Sequence, residues 1–129
     1  MSGMKPELTN RLFRIAESDV SALVEAHRSY GESWKKRGGV GAYMMLARKW
    51  DRIENQMQQC EPQFDILNEL CLDMASGKKD GILDDVRDLR RYLELCEAEA
   101  QRMAEVVREE LDDDEQVAQG GPTRAYVAQ

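Results

Sequence analysis

Ile82-Leu83-Asp84-Asp85-Val86-Arg87-Asp88-Leu89-Arg90-Arg91-Tyr92-Leu93-Glu94-Leu95-Cys96 is the stretch whose reading decides the fold. Ile82, Val86, Leu89, Leu93 and Cys96 recur every three or four positions, and Ala100, Met103 and Val107 continue the seam for about seven turns at 3.6 residues each. Such a seam predicts the longest helix of the chain and the spine of a bundle. Asp85, Asp88 and Tyr92 lie together on one flank of it. Carboxylates three apart share a flank and can converge on a hard cation such as Mg²⁺; the alternative is a helix flank paired with Arg or Lys from a neighbour.

Working outward, Leu8, Leu12, Ile15, Leu23, Ala26 and Tyr30 follow helical spacing from Pro6, which suits a first turn, to Gly31, a C-terminal stop. The polar Ser18-Asp19 interrupts that face and is expected to divide it, with either residue capping a second helix. Glu32 to Gly41, with Lys35, Lys36, Arg37 and three of its glycines at 38, 39 and 41, reads as a basic loop ahead of a helix start. Leu46, Trp50, Ile53 and Met57 form the next seam, which ends before Pro62. Its flanks have opposite sign: Lys49, Arg52 and Gln56 on one side, Asp51 and Glu54 on the other. With the acidic flank toward Asp85 and Asp88, four carboxylates surround a metal; with the basic flank there, Lys49 and Arg52 neutralise them or hold phosphate.

Ile66, Leu67, Leu70, Cys71 and Met74 make a shorter helix closed by Gly77, and Lys78-Lys79-Asp80-Gly81 turns into the long one. From Asp112 the pattern gives way to Asp-Asp-Asp-Glu and then Gly120-Gly121-Pro122. Negative charge disfavours a helix C-terminus, so fraying is expected there, giving one all-α domain over 1–111 and an acidic tail over 112–129.

A length of 129 residues allows one core, and 33% charged with 6% aromatic residues favours helix. The formal charge of -7 argues against binding nucleic-acid polymer. Cys60, Cys71 and Cys96 lack the close spacing of zinc ligands and read as reduced thiols of a cytosolic protein. Neither a signal segment nor a membrane span is evident, so no membrane partner is expected. His27 is the single histidine, which leaves no His-based triad. The glycines can present backbone N–H groups to phosphate beside Lys35, Lys36 and Arg37, and Tyr30 and Trp34 can stack on a base or pack in the core.

These residues resemble the MazG-like all-α nucleoside triphosphate pyrophosphohydrolases, whose two helices each carry paired acids. Asp84-Asp85-Val86-Arg87-Asp88-Leu89 matches the second acidic half in type, spacing and register. In the first half, Arg48, Lys49 and Arg52 stand where acids would be once Trp50 and Ile53 keep the apolar positions. A closer resemblance is to phage-borne relatives, the nucleotide modification associated domain and the MazG-like dATP/dGTP pyrophosphohydrolases. Tyr30-Gly31-Glu32-Ser33, Gly39-Val40-Gly41, Lys49, Arg52, Asn55 and Asp84 to Tyr92 carry it.

The resemblance implies a four- to five-helix MazG-like bundle, located in the cytoplasm, the host's if the chain is phage-encoded. The activity implied is cleavage of a purine deoxynucleoside triphosphate to monophosphate and pyrophosphate, with Mg²⁺, or Mn²⁺ in its place. Glu54, Asp85 and Asp88 are the expected catalytic acids, with Asp51 or Glu32 completing the metal shell. Lys35, Lys36, Arg37, Lys49, Arg52, Trp34, Tyr30 and Tyr92 are the expected substrate contacts. A homodimer or homotetramer is expected. The rival classes are a non-enzymatic acidic helical interaction module and a nucleotide-binding pseudo-enzyme.

Overall fold

The computed structural model describes residues 3–117. Within them are four α-helices, α1 Pro6–Tyr30, α2 Gly38–Gln59, α3 Ile66–Ser76 and α4 Ile82–Val117, with one 3₁₀ turn, Ser33–Lys35, between α1 and α2. The described chain is all-α, as its periodicity predicts.

α1 starts with Pro6 in its first turn and ends where the Gly31 N–H reaches the His27 carbonyl at 2.8 Å. It runs unbroken through Ser18-Asp19, which corrects the expected division. Asp19 lies on the same stripe as Ile15 and Leu23, is 0% exposed, and meets two arginines of α4. Its charge is matched across the helix interface, so the helix does not have to end to satisfy it.

Gly39-Val40-Gly41 is helix and not loop: α2 begins at Gly38. Glycine costs about 1 kcal/mol in a helix, but packing on α4 over the following turns outweighs a local preference. α2 runs antiparallel to α4, since Lys49 meets Asp88 while Gln56, farther along α2, meets the earlier Asp85. Ile53 and Met57 are buried against Ile82, with Leu70, Val86, Leu89 and Cys60 packed around them. Each such burial contributes roughly 1.5–3 kcal/mol. Trp50 departs from its predicted seam position and is 53% exposed. The carboxylates of α4 attract the Lys49, Arg52 and Gln56 flank, and that rotation carries Trp50 to the rim.

α3 is capped by Asp65, whose side chain accepts from the Asn68 N–H at 3.1 Å, and closes on Gly77 in the left-handed region at φ 68°. Of its predicted seam, Leu70 reaches the core, whereas Leu67 and Met74 are exposed. The buried Asp73 carboxylate accepts the Leu83 N–H at 3.1 Å and so caps α4. A Cβ on Gly81 would collide with that carboxylate, which is why the turn ends in glycine.

α4 continues past Asp112 to Val117, which corrects the expected fraying point. Unfavourable charge at a helix end costs only about 0.3–1 kcal/mol, and each added residue still gains a backbone hydrogen bond. The remaining expected tail, residues 118–129, lies outside the described residues. Among the described residues no helix is long and apolar enough to cross a membrane, and all three cysteines are free.

Candidate functional site

α2 presents its basic flank to α4. Lys49 Nζ donates to Asp88 Oδ2 at 3.0 Å, with both side chains part-buried. Gln56 Nε2 donates to Asp85 Oδ2 at 2.6 Å. Arg52 Nε lies 3.1 Å from Asp85 Oδ1, but its N–H is not aimed at that atom. Asp85 is 1% exposed, so its Oδ1 is buried beside a charge yet accepts no hydrogen bond. The open alternative between the two flanks of α2 is thereby decided by the fold.

The acidic flank is elsewhere. Asp51 and Glu54 are exposed, and neither joins Asp85 and Asp88 in a group of three acids among the described residues. Glu32 is held by Lys35, whose Nζ lies 3.3 Å from Glu32 Oε1 and 3.2 Å from Glu99 Oε1. A divalent cation of the Mg²⁺ type needs carboxylate oxygens free to face it. Here Asp85 and Asp88 face an amide, a guanidinium and an ammonium, and no three His, Cys, Asp or Glu groups converge among the described residues. In this arrangement the assigned carboxylates do not fit a metal ion.

Beside this pairing the C-terminal half of α1, the 3₁₀ turn, α2 and α4 border a half-open cavity of about 440 Å³. Tyr30, Trp34, Asp88 and Tyr92 line it, so four of the residues singled out in sequence, from two separate stretches, meet at one place. The volume falls in the range of small-molecule sites, roughly 300–1,000 Å³, and the lining of aromatic and apolar groups with a few polar ones suits a base. Trp34 also lines a smaller groove with Tyr43, Leu46, Cys96 and Met103, so its indole separates the two spaces.

The basic turn divides. Lys35 is consumed by Glu32 and Glu99, while Lys36 and Arg37 are exposed. Glu99 is held down at about 2, by Arg102 first and then by Lys35.

Sequence reasoning missed the wall formed by Asp19, Arg90, Arg91 and Glu94. Arg90 grips Asp19 with two hydrogen bonds, Nε to Oδ2 at 2.6 Å and Nη2 to Oδ1 at 2.7 Å, and Arg91 Nε adds a third to Oδ1 at 2.9 Å. These hold the Asp19 carboxyl far below the usual range, Arg90 foremost, whereas burial first and Asp19 second push Glu94 up. The available signal was a charged residue in register with Ile15 and Leu23, opposite an Arg-Arg pair.

No family model matches the chain, and neither a curated protein nor a solved structure does.

Proposed function

We propose that the chain binds a nucleoside triphosphate in the cavity between α1, α2 and α4 and converts it to the monophosphate and pyrophosphate. One observation carries this reading: two pairs distant in sequence, Tyr30 with Trp34 and Asp88 with Tyr92, line a single cavity of nucleoside size. The aromatic rings offer stacking faces, and Asp88 of the lining carries the Lys49 ammonium with it. The preference for a purine deoxynucleotide, and the Mg²⁺ or Mn²⁺ requirement, rest on the resemblance to the MazG-like enzymes. For metal-assisted cleavage, Asp85 and Asp88 have to be freed from Arg52 and Lys49. Binding needs no such change.

A second reading, binding without turnover, is favoured by the same ion pairs, because Lys49 and Arg52 already supply the positive charge that a metal would bring. Incubation with each common NTP and dNTP and Mg²⁺ or Mn²⁺, resolving monophosphate from diphosphate, separates the two. Release of pyrophosphate is the expected result. Thermal stabilisation by a dNTP without product supports the binder, since only a ligand that prefers the folded state raises its stability. Neither product nor stabilisation with any nucleotide overturns both.

The oligomer belongs to the same proposal. Val40, Tyr43, Met44 and Trp50 form an exposed apolar stripe along α2, and Phe13, Val20 and Val24 form another along α1. A second copy of the chain is their proposed cover.

A further inference from the structure

Arg91 is the second counter-charge of Asp19, after Arg90. Asp19 is already satisfied by the Arg90 fork, which reaches both carboxylate oxygens, and a second guanidinium on Oδ1 is surplus to its burial. Arg91 contacts Asp19 through Nε alone, and its terminal amino groups bond to no described residue. The side chain is 23% exposed, and it lines the same cavity as Tyr30, Trp34 and Tyr92.

The other cations assigned to substrate behave differently. Lys36 and Arg37 are exposed and do not line the cavity, while Lys35, Lys49 and Arg52 are each paired with a carboxylate, Glu32 and Glu99, Asp88, and Asp85 respectively. Arg91 shares a carboxylate that another arginine has taken. Glu94, the remaining acid of the cluster, forms no ion pair with Arg91 among the described residues. The wall at Arg91 therefore presents a guanidinium edge, oriented by a hydrogen bond and open to the cavity.

We propose that Arg91 is the oxyanion-binding residue of the cavity, presenting its terminal N–H groups to a phosphate of the bound nucleotide, and that Asp19 is the positioning residue that sets its fork. This rests on the cavity being the nucleotide site. A guanidinium fixed at Nε keeps its planar outer edge for two parallel hydrogen bonds to a phosphate, a geometry that lysine cannot supply.

Calorimetric titration of the full chain with dGTP, deoxyguanosine and inorganic tripolyphosphate tests it, using wild type, Arg91→Gln and Arg91→Lys. Arg28→Gln, on the exposed face of α1, serves as the control. Arg91→Gln is expected to weaken dGTP and tripolyphosphate about 10- to 100-fold while leaving deoxyguanosine within about twofold, as for a lost charge-assisted hydrogen bond. Arg91→Lys is expected to recover part of the loss. The fold survives both changes because Arg90 retains Asp19, and apo melting temperatures check this. Unchanged dGTP affinity in Arg91→Gln, or equal losses for nucleoside and nucleotide, overturns the role of Arg91 and leaves the cavity assignment standing. Failure of the wild type to bind dGTP overturns the cavity assignment itself.

Discussion

Asp85 and Asp88 are three residues apart on one helix, yet they stand in different surroundings. Asp85 is 1% exposed and bonded to Gln56, with Arg52 alongside; the Asp88 side chain is 36% exposed and holds Lys49. Neutralising a buried carboxylate strands its donors away from water, whereas a half-exposed pair is readily replaced by solvent. Asp85→Asn is therefore expected to destabilise by about 1–3 kcal/mol, because its new NH2 group has to face either the Gln56 amide or the Arg52 guanidinium, both donors. Asp88→Asn should cost less than about 1 kcal/mol. Urea midpoints of the two variants check this, and equal losses would contradict the difference in burial.

At the scale of elements, the 3₁₀ turn is fastened to α4 by Lys35 and Glu99, with Arg102 on the other side of the same carboxylate. Glu99 titrates at about 2 instead of its ordinary 4.5. A depressed folded value means that the unfolded chain binds the proton more readily. The pairing thus stabilises fully above pH 4.5, and its contribution is lost as pH falls toward 2. Asp19 acts in the same sense at lower pH, whereas Glu94, raised by burial, acts in the opposite sense. Glu99→Gln should flatten the fall in stability between pH 4.5 and 2 relative to wild type, and should shift Trp34 fluorescence because the turn loses its anchor. Denaturant titrations across that range supply the measurement; an unchanged slope would show that the turn is held by packing alone.

At the scale of the molecule, surface and core are out of proportion. The buried apolar set is Ile53, Met57, Ile82 and Leu83, and the accessible surface is 10210 Å². A compact monomer of 14.8 kDa exposes roughly 7,000 Å². The excess stays on the order of 2,000 Å² even with residues 118–129 counted as fully exposed, which is of the size that homodimer interfaces bury. Sedimentation equilibrium is expected to return a multiple of 14.8 kDa. Tyr43→Glu combined with Trp50→Glu, on the exposed stripe of α2, should return the single chain with its helicity intact. A wild-type monomer at all concentrations would leave the stripes without their proposed cover.

What the sequence by itself determined is what depends on neighbours along the chain. The 3.6-residue seams fixed the helices, Pro6 and Gly77 their punctuation, and the long seam from Ile82 the spine, because turn geometry and capping are local. Asp85, Asp88 and Tyr92 were legible as one flank of α4 for the same reason. Helix rotation was decided only by tertiary structure: which flank of α2 faces α4 follows from attraction between Lys49, Arg52 and Gln56 and the α4 carboxylates, an energy absent from either helix alone. The same holds for Asp19. In sequence it breaks an apolar stripe, and only the crossing of α1 over α4 brings Arg90 and Arg91 to it, because a buried charge is tolerable solely where an opposite charge, far off in the chain, is delivered to it.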